Sequence, residues 1–131
     1  MKKIAIAIIA SLAVFGASVS VATPASAAKS SYTKKENKLW KGMKQIQPQN
    51  TKKVTKRTVV DYGNAACELF DVAGVPLGFD ILSNQIAETS IGMPSREQDQ
   101  FIKLSVGIVV ASTYTICTEH QEDLDLVIDQ L

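Results

Sequence analysis

Apolar side chains recur at helical spacing in the first part of the chain that follows residue 32. They are Leu39, Trp40, Met43 and Ile46. Thr33, with Glu36 three residues later, has the pattern of a capping box, in which two side chains satisfy two backbone amides at the start of a helix. Because proline interrupts a helix, Pro48 is expected to end this one. The pattern therefore predicts an amphipathic first helix between Thr33 and Pro48.

Two further helices are predicted before residue 90. The first of them is expected to begin near Thr55 or Thr58, after a polar linker, and to end at Gly74. Its buried face consists of Val59, Gly63, Ala66, Cys67 and Phe70. Glycine destabilises a helix by up to about 1 kcal/mol relative to alanine, so we expect another helix to approach Gly63 closely. The second, shorter helix is predicted over residues 77–89.

Residues 101–117 have features of both a helix and a strand. Their many β-branched side chains favour a strand. Their length favours a helix, and so does the pair Ser95 and Gln98, which has the spacing of a second capping box. We predict a helix here, with a strand as the alternative, and a last helix capped by Thr118 with Gln121. The chain as a whole is predicted to be all-α, a small bundle of about four to five helices.

The first 27 residues have the organisation of a secretory signal peptide. Lys2 and Lys3 supply the positive start, residues 4–15 form an apolar run, and Ala25-Ser26-Ala27 has the small residues of a cleavage site. We therefore predict that residues 1–27 are a signal peptide, that cleavage follows Ala27, and that the protein is exported.

The remaining residues, 28–131, are expected to form a single domain with a flexible lead over 28–32. The alternative is an uncleaved membrane anchor, because no charged residue occurs between Lys3 and Lys29. A membrane-spanning helix needs roughly 20 predominantly apolar residues, and the apolar run is shorter than that. Cleavage is therefore favoured, and it leaves no transmembrane span.

Cys67 and Cys117 are the two cysteines of the chain and are predicted to form a structural disulfide. An oxidising compartment after export allows such a bond to persist. The alternatives are a redox pair, which usually has the spacing C-x-x-C, and a structural zinc site, which usually needs four Cys or His ligands. The first spacing is absent and the chain has three such ligands in total, so no metal site is expected.

The formal net charge of +1 conceals a strong separation of charge along the chain. Residues 29–57 contain ten basic residues and one acid, whereas residues 58–131 contain two basic residues and twelve acids. The first helix is therefore basic as well as amphipathic. One interpretation is a solvated face, and the other is contact with an anionic surface or a protein of the cell envelope. The residues predicted for such a contact are Lys34, Lys38, Trp40, Lys41 and Lys44.

The sequence offers no combination of residues that predicts catalysis. His120, the single histidine, lies among acidic residues and is expected to be exposed. Motifs of a nucleophile elbow, a zinc protease, a phosphate-binding loop and a dinucleotide-binding loop are absent. We therefore expect a protein that is not an enzyme and has no cofactor. Nucleic-acid binding is not expected either, because the basic stretch has a single arginine and the protein is predicted to be exported.

Three features together resemble the actinobacterial domain of unknown function 732 family. They are the predicted export, Gly63-x-x-x-Cys67 within one helix, and the late Cys117 that follows a long apolar helix. The resemblance implies a small secreted or envelope-associated helical protein with one disulfide, and it implies no activity. The chain departs from the family pattern at Ile116 and Thr118, where the family has tyrosine and proline.

The leading functional hypothesis is an exported, non-enzymatic helical domain that contacts the cell envelope or another protein. The alternative is a carrier of a small apolar ligand, such as a lipid or haem, because several aromatic side chains are available to line a pocket. These aromatic residues are Tyr32, Trp40, Tyr62 and Tyr114.

Overall fold

Six α-helices make up most of residues 31–131, the part of the chain that the computed structural model describes. They are α1 (Lys34–Ile46), α2 (Pro48–Thr51), α3 (Lys56–Ala73), α4 (Val75–Ser90), α5 (Ser95–Thr115) and α6 (Gln121–Asp129), with a 3₁₀ turn, Thr118–His120, before α6. No strand occurs in this range, which confirms the all-α prediction. The segment 101–117 is helical as far as Thr115, so the helix was the correct alternative. The predicted signal peptide and residues 28–30 of the predicted lead lie outside the described residues.

α1 begins where the capping pattern predicts. The backbone N–H of Glu36 donates to Thr33 Oγ1 at 3.1 Å, and that of Thr33 donates to Glu36 Oε1 at 2.9 Å. The end is also as predicted, because α1 stops at Ile46 with Gln47 as its C-cap, and Pro48 begins the separate single turn of α2. Proline is favoured at the first position of a helix, where its missing N–H needs no partner. The predicted polar linker therefore contains an additional short helix.

Two of the predicted capping residues do not cap their helices. Pro94 is the N-cap of α5 and offers no side-chain acceptor, so Ser95 already lies inside the helix. α6 follows the 3₁₀ turn, and its N-cap, His120, makes no side-chain capping hydrogen bond. The prediction that Thr118 caps this helix is therefore wrong. In both helices the observed N-cap residue is not the serine or threonine that fits the capping pattern.

A single residue, Gly74, joins α3 to α4. Its φ of +83° lies in the left-handed region that residues with a Cβ atom rarely adopt. Gly74 thus ends α3 as predicted. Pro76 lies in the first turn of α4, which begins at Val75 and not at the predicted residue 77.

The core lies between α1, α3 and α5, and α4 and α6 complete it. Its fully buried large side chains include Leu39, Met43, Tyr62, Leu69, Phe70, Leu82, Ile108 and Leu124. α1 and α5 run antiparallel, since the start of α1 approaches the end of α5 and Gln47 Nε2 donates to the Lys103 carbonyl at 2.8 Å. One face of α1 is therefore committed to the core, and the remainder faces solvent.

α1 and α5 both approach α3 closely at Gly63. A Cβ atom placed on Gly63 would lie 2.6 Å from Leu39 Cδ2 and 3.1 Å from Ser112 Cβ. At these distances a side chain at residue 63 requires Leu39 to rotate and Ser112 to shift, which a tightly packed interior resists. The predicted close approach of a helix at this glycine is confirmed, and two helices meet there.

The disulfide between Cys67 and Cys117 is formed, as predicted. The two Cα atoms are 5.8 Å apart, within the usual range for such a bond. Both cysteines are buried, and the bond joins the middle of α3 to the segment between α5 and the 3₁₀ turn. It therefore fixes the carboxyl-terminal part of the bundle to a central helix.

Tyr62 is buried in α3, and its hydroxyl has no hydrogen-bond partner among residues 31–131. Burial raises the pKa of this phenol far above its ordinary value of 10.0, because the charged form loses its hydration. The folded protein therefore holds the Tyr62 proton more tightly than the unfolded chain does.

We expect Tyr62→Phe to raise the free energy of unfolding at pH 7 by about 1 kcal/mol, because it removes a buried hydroxyl that has no partner. Above pH 10.0 the unfolded wild type ionises at this residue and the folded protein does not, so wild-type stability falls as pH rises, by up to about 1.4 kcal/mol per unit. Urea unfolding of both proteins at pH 7 and at about pH 11 measures the difference. An equal gap between the two proteins at both pH values would contradict this interpretation.

Candidate functional site

The lysines of α1 all lie exposed. Four of them belong to the predicted contact set, and Lys35, which that set leaves out, is exposed beside them. The one acid of α1, Glu36, is only 6% exposed. Besides the capping bond from Thr33, its carboxylate accepts a hydrogen bond from Asn64 Nδ2 at 2.7 Å. The solvent side of α1 therefore carries positive charge with no acid of its own.

The five predicted contact residues do not share one face. An α-helix turns about 100° per residue, so Lys34, Lys38 and Lys41 fall within an arc of about 60°. Trp40 lies about 160° from Lys38. Its ring is half-buried against the core, and Lys44 Nζ lies 5.7 Å from the ring centroid. Lys34, Lys38 and Lys41 form what we call the basic side of α1. Lys44 lies outside this arc, about 60° beyond Lys41, and Trp40 lies on the opposite side of the helix.

An open groove of about 920 Å³ runs between α1 and α5, next to the basic side of α1. Its lining includes Lys38, Gly42 and Ile46 from α1 and Val106, Gly107 and Ala111 from α5. Two large side chains at its margin are exposed, Ile46 to 68% and Tyr114 to 44%. The groove is therefore apolar and accessible from solvent.

Two glycines shape the groove, Gly42 by leaving space and Gly107 by admitting a neighbouring side chain. A Cβ atom on Gly42 would meet no atom within 4 Å, so this part of α1 faces open space. On α5, Gly107 lets the side chain of Gln47 approach the helix backbone, where its amide bonds to the Lys103 carbonyl. Gln47, and not Ile46, packs against α5 at this end. The prediction that Ile46 belongs to the buried face is wrong for that reason.

The two ends of the groove differ in charge. At one end Lys103 is paired with Asp99, whose carboxylate lies 3.1 Å from Lys103 Nζ. At the other end Lys38 lies near Tyr114, whose hydroxyl donates to the carboxylate of Asp125. This hydrogen bond raises the pKa of Tyr114, with desolvation and the charge of nearby carboxylates adding to the effect. The excess of positive charge is at the Lys38 end, where the other lysines of the basic side also lie.

A second group of polar side chains lies next to the disulfide. His120 Nε2 is 2.6 Å from Asp71 Oδ1, and the His120 ring packs edge-on against Phe70. The histidine side chain is only 17% exposed, so the prediction of an exposed histidine is wrong. The disulfide brings the pair together, since Asp71 is four residues after Cys67 and His120 is three residues after Cys117.

With Glu119, this pair places three possible metal ligands within 4.8 Å of one another. Imidazole and carboxylate groups are ligands that zinc uses. Asp71 and Glu119 are both exposed. The hydrogen bond accounts for the proximity of His120 and Asp71, and Glu119 is the residue that precedes His120. We therefore interpret the group as a structural contact between α3 and the 3₁₀ turn.

None of the helices within residues 31–131 is by itself long and apolar enough to cross a membrane. Two consecutive helical segments, Ser95–Thr115 and Thr118–Asp129, reach that length and composition only when taken together, and they are bent by 104° at their junction.

The helical fold and the disulfide are what the resemblance to the domain of unknown function 732 family implies. A disulfide is also a common device in small secreted domains of other families. The family therefore stays a prediction. Comparison of the chain with family models, with curated proteins and with solved structures finds no match in any of the three.

Proposed function

We propose that the chain is an exported, non-enzymatic helical domain that contacts an anionic lipid surface of the cell envelope through the basic side of α1. The observation that carries the proposal is the charge of that side. Lys34, Lys38 and Lys41 are exposed within one arc, and the only acid of α1 is buried. Basic residues close to an anionic membrane contribute about 1 kcal/mol each. Together they are expected to hold the domain reversibly at such a surface.

The other interpretation is that the positive charge of α1 is balanced by acidic residues of the same protein. α6 is the most acidic helix, and it packs on α4 and α5. No ion pair joins a lysine of α1 to an acid of α6 anywhere between residues 31 and 131. The lysines therefore keep their charge available for an external partner, which favours the contact.

Export is supported by the pattern of the first 27 residues. The disulfide is compatible with it, because such bonds persist in oxidising compartments outside the cytosol. A non-enzymatic role is supported by the single histidine and by the absence of catalytic motifs from the sequence.

Co-sedimentation with vesicles that contain phosphatidylglycerol tests the contact. Wild-type protein is expected to bind at low salt and to dissociate at high salt, because salt screens exposed charges. Replacing Lys34, Lys38 and Lys41 by glutamine is expected to weaken binding by roughly a hundredfold, since about 1 kcal/mol is lost per lysine. Vesicles of phosphatidylcholine alone are expected to bind neither protein. The intact mass of the exported protein, measured first, is expected to equal residues 28–131 less two hydrogens.

A matched control removes three lysines elsewhere, in the variant Lys44→Gln, Lys52→Gln, Lys53→Gln. All three are exposed, and the net charge changes by the same amount. This control is expected to bind at least about tenfold more tightly than the variant of the basic side. Equal losses in the two variants would mean that binding follows net charge and not this side of α1. Failure of the wild type to bind anionic vesicles at low salt would reject the proposal.

A further inference from the structure

The groove between α1 and α5 is suited to one class of ligand. Most of its lining is apolar or small, and one end carries the lysines of the basic side of α1. We propose that the groove binds a fatty acid, with the acyl chain along the groove and the carboxylate at the Lys38 end. This inference deepens the proposed function and rests on it, because the same lysines are proposed to contact the anionic surface and the carboxylate of the fatty acid.

The size of the groove fits a single small amphiphile. Its volume of about 920 Å³ lies within the roughly 300–1,000 Å³ that is typical of sites for small ligands. Exposed apolar side chains border it, Ile46 on α1 and Ile102 and Tyr114 on α5. An acyl chain in the groove removes these side chains from water. The removal of apolar surface from water is expected to be the main driving force for binding.

The middle of the groove is open because α1 has a glycine there. A Cβ atom on Gly42 would meet no other atom within 4 Å. On α5, Gly107 and Ala111 line the groove and are also small, although the side chain of Gln47 already occupies the space beside Gly107. A large side chain at residue 42 is therefore expected to fill the groove without displacing any core atom, and this gives a way to block the site while the fold is kept.

Charge sets the direction of the ligand. Lys38 lines this end of the groove, and Lys34 lies one turn before it on the same side of α1. The charges of Asp125 and Asp129 also act on Tyr114 at this end, and the three lysines of the basic side outnumber these two acids. At the opposite end the ammonium group of Lys103 is paired with an acid. The methyl end of the acyl chain is therefore expected to point toward Ile46.

The test is a fluorescence titration with cis-parinaric acid, a fatty acid whose emission rises in an apolar site. The protein is expressed as the full chain, including its own amino-terminal segment. We expect saturable binding that oleate displaces. Gly42→Phe is expected to weaken binding by at least about tenfold, because the ring occupies the groove. Gly42→Ala is the matched control and is expected to stay within about twofold of the wild type. Lys38→Gln, which leaves the groove open, is expected to weaken binding by about two- to fivefold.

Vesicle co-sedimentation of the same proteins separates this inference from the proposed function. Gly42→Phe keeps every lysine, so it is expected to bind phosphatidylglycerol vesicles as the wild type does. The fatty-acid site is rejected if the wild type shows no saturable binding of cis-parinaric acid, or if Gly42→Phe binds it as tightly as the wild type. Fatty-acid binding without vesicle binding would reject the proposed function instead. A peptide, and not a lipid, retained by the wild type in native mass spectrometry would also overturn the fatty-acid assignment.

Discussion

Replacing Cys67 and Cys117 together by alanine is expected to lower the free energy of unfolding by about 4 kcal/mol. The bond closes a loop over a sequence separation of 50 residues, and the magnitude follows from the chain entropy that such a loop removes from the unfolded state. A small domain has a total stability of about 5–15 kcal/mol, so the variant is expected to be close to unfolding at ordinary temperature. Urea denaturation followed by circular dichroism measures the change.

Both cysteines are buried, so alanine also leaves a small cavity at each position. Reduction of the wild type by dithiothreitol removes the bond and keeps both sulfur atoms, and it is expected to reproduce most of the loss. Amide hydrogen exchange in α6 is expected to accelerate in both cases, because the bond anchors the segment that leads into this helix. A loss below about 1 kcal/mol on both substitution and reduction would contradict a stabilising role for the disulfide.

Gly63→Val is expected to lower the free energy of unfolding by about 2–3 kcal/mol. The end of the Leu39 side chain, 2.6 Å from the position of the added Cβ atom, is able to rotate away. Ser112 Cβ, at 3.1 Å, is attached directly to the α5 backbone, so relief there requires α5 to move. Valine adds two further carbon atoms at the point where three helices meet, and the cost of overpacking exceeds the gain in helix propensity over glycine.

Gly42→Val is the matched control, since it makes the same chemical change in α1 at a position with no atom within 4 Å of the new Cβ. Its stability is expected to equal or slightly exceed that of the wild type, because valine forms helices better than glycine does. Urea unfolding of the two variants side by side checks the comparison. Comparable stability of both would show that the contact at Gly63 relaxes without cost.

The features that could be predicted from the sequence are those that nearby residues determine. The capping box at Thr33 depends on two side chains three residues apart, and it is formed. The buried face of α3 follows from a simple helical period, and Gly63 within it indicated a close approach that the structure contains. Two cysteines leave one possible pairing within the chain, so the disulfide required no knowledge of the fold.

The groove could not be predicted, because it depends on which parts of two distant helices remain uncovered. The helical period places Ile46 with Leu39 and Met43, but the core ends at Met43 because Gln47 packs against α5 instead. Trp40 was predicted to contact an external surface together with the lysines, whereas its ring packs against the core.

His120 illustrates the same limit. Its sequence neighbours are acidic and indicate an exposed residue, whereas its burial comes from contact with α3. That contact exists because a bond between residues 50 positions apart brings the two segments together. A pattern of neighbouring residues contains no information about a contact of this kind.

The turn between α4 and α5, residues 91–94, lies inside the loop that the disulfide closes. Ile91 at its start is exposed, and turns of this kind are preferred sites of proteolytic nicking. A single cut there separates α1–α4 from α5–α6 in the backbone but leaves the two pieces joined through sulfur. A protease that cuts there would thus convert the domain into a two-chain protein whose halves still share one core.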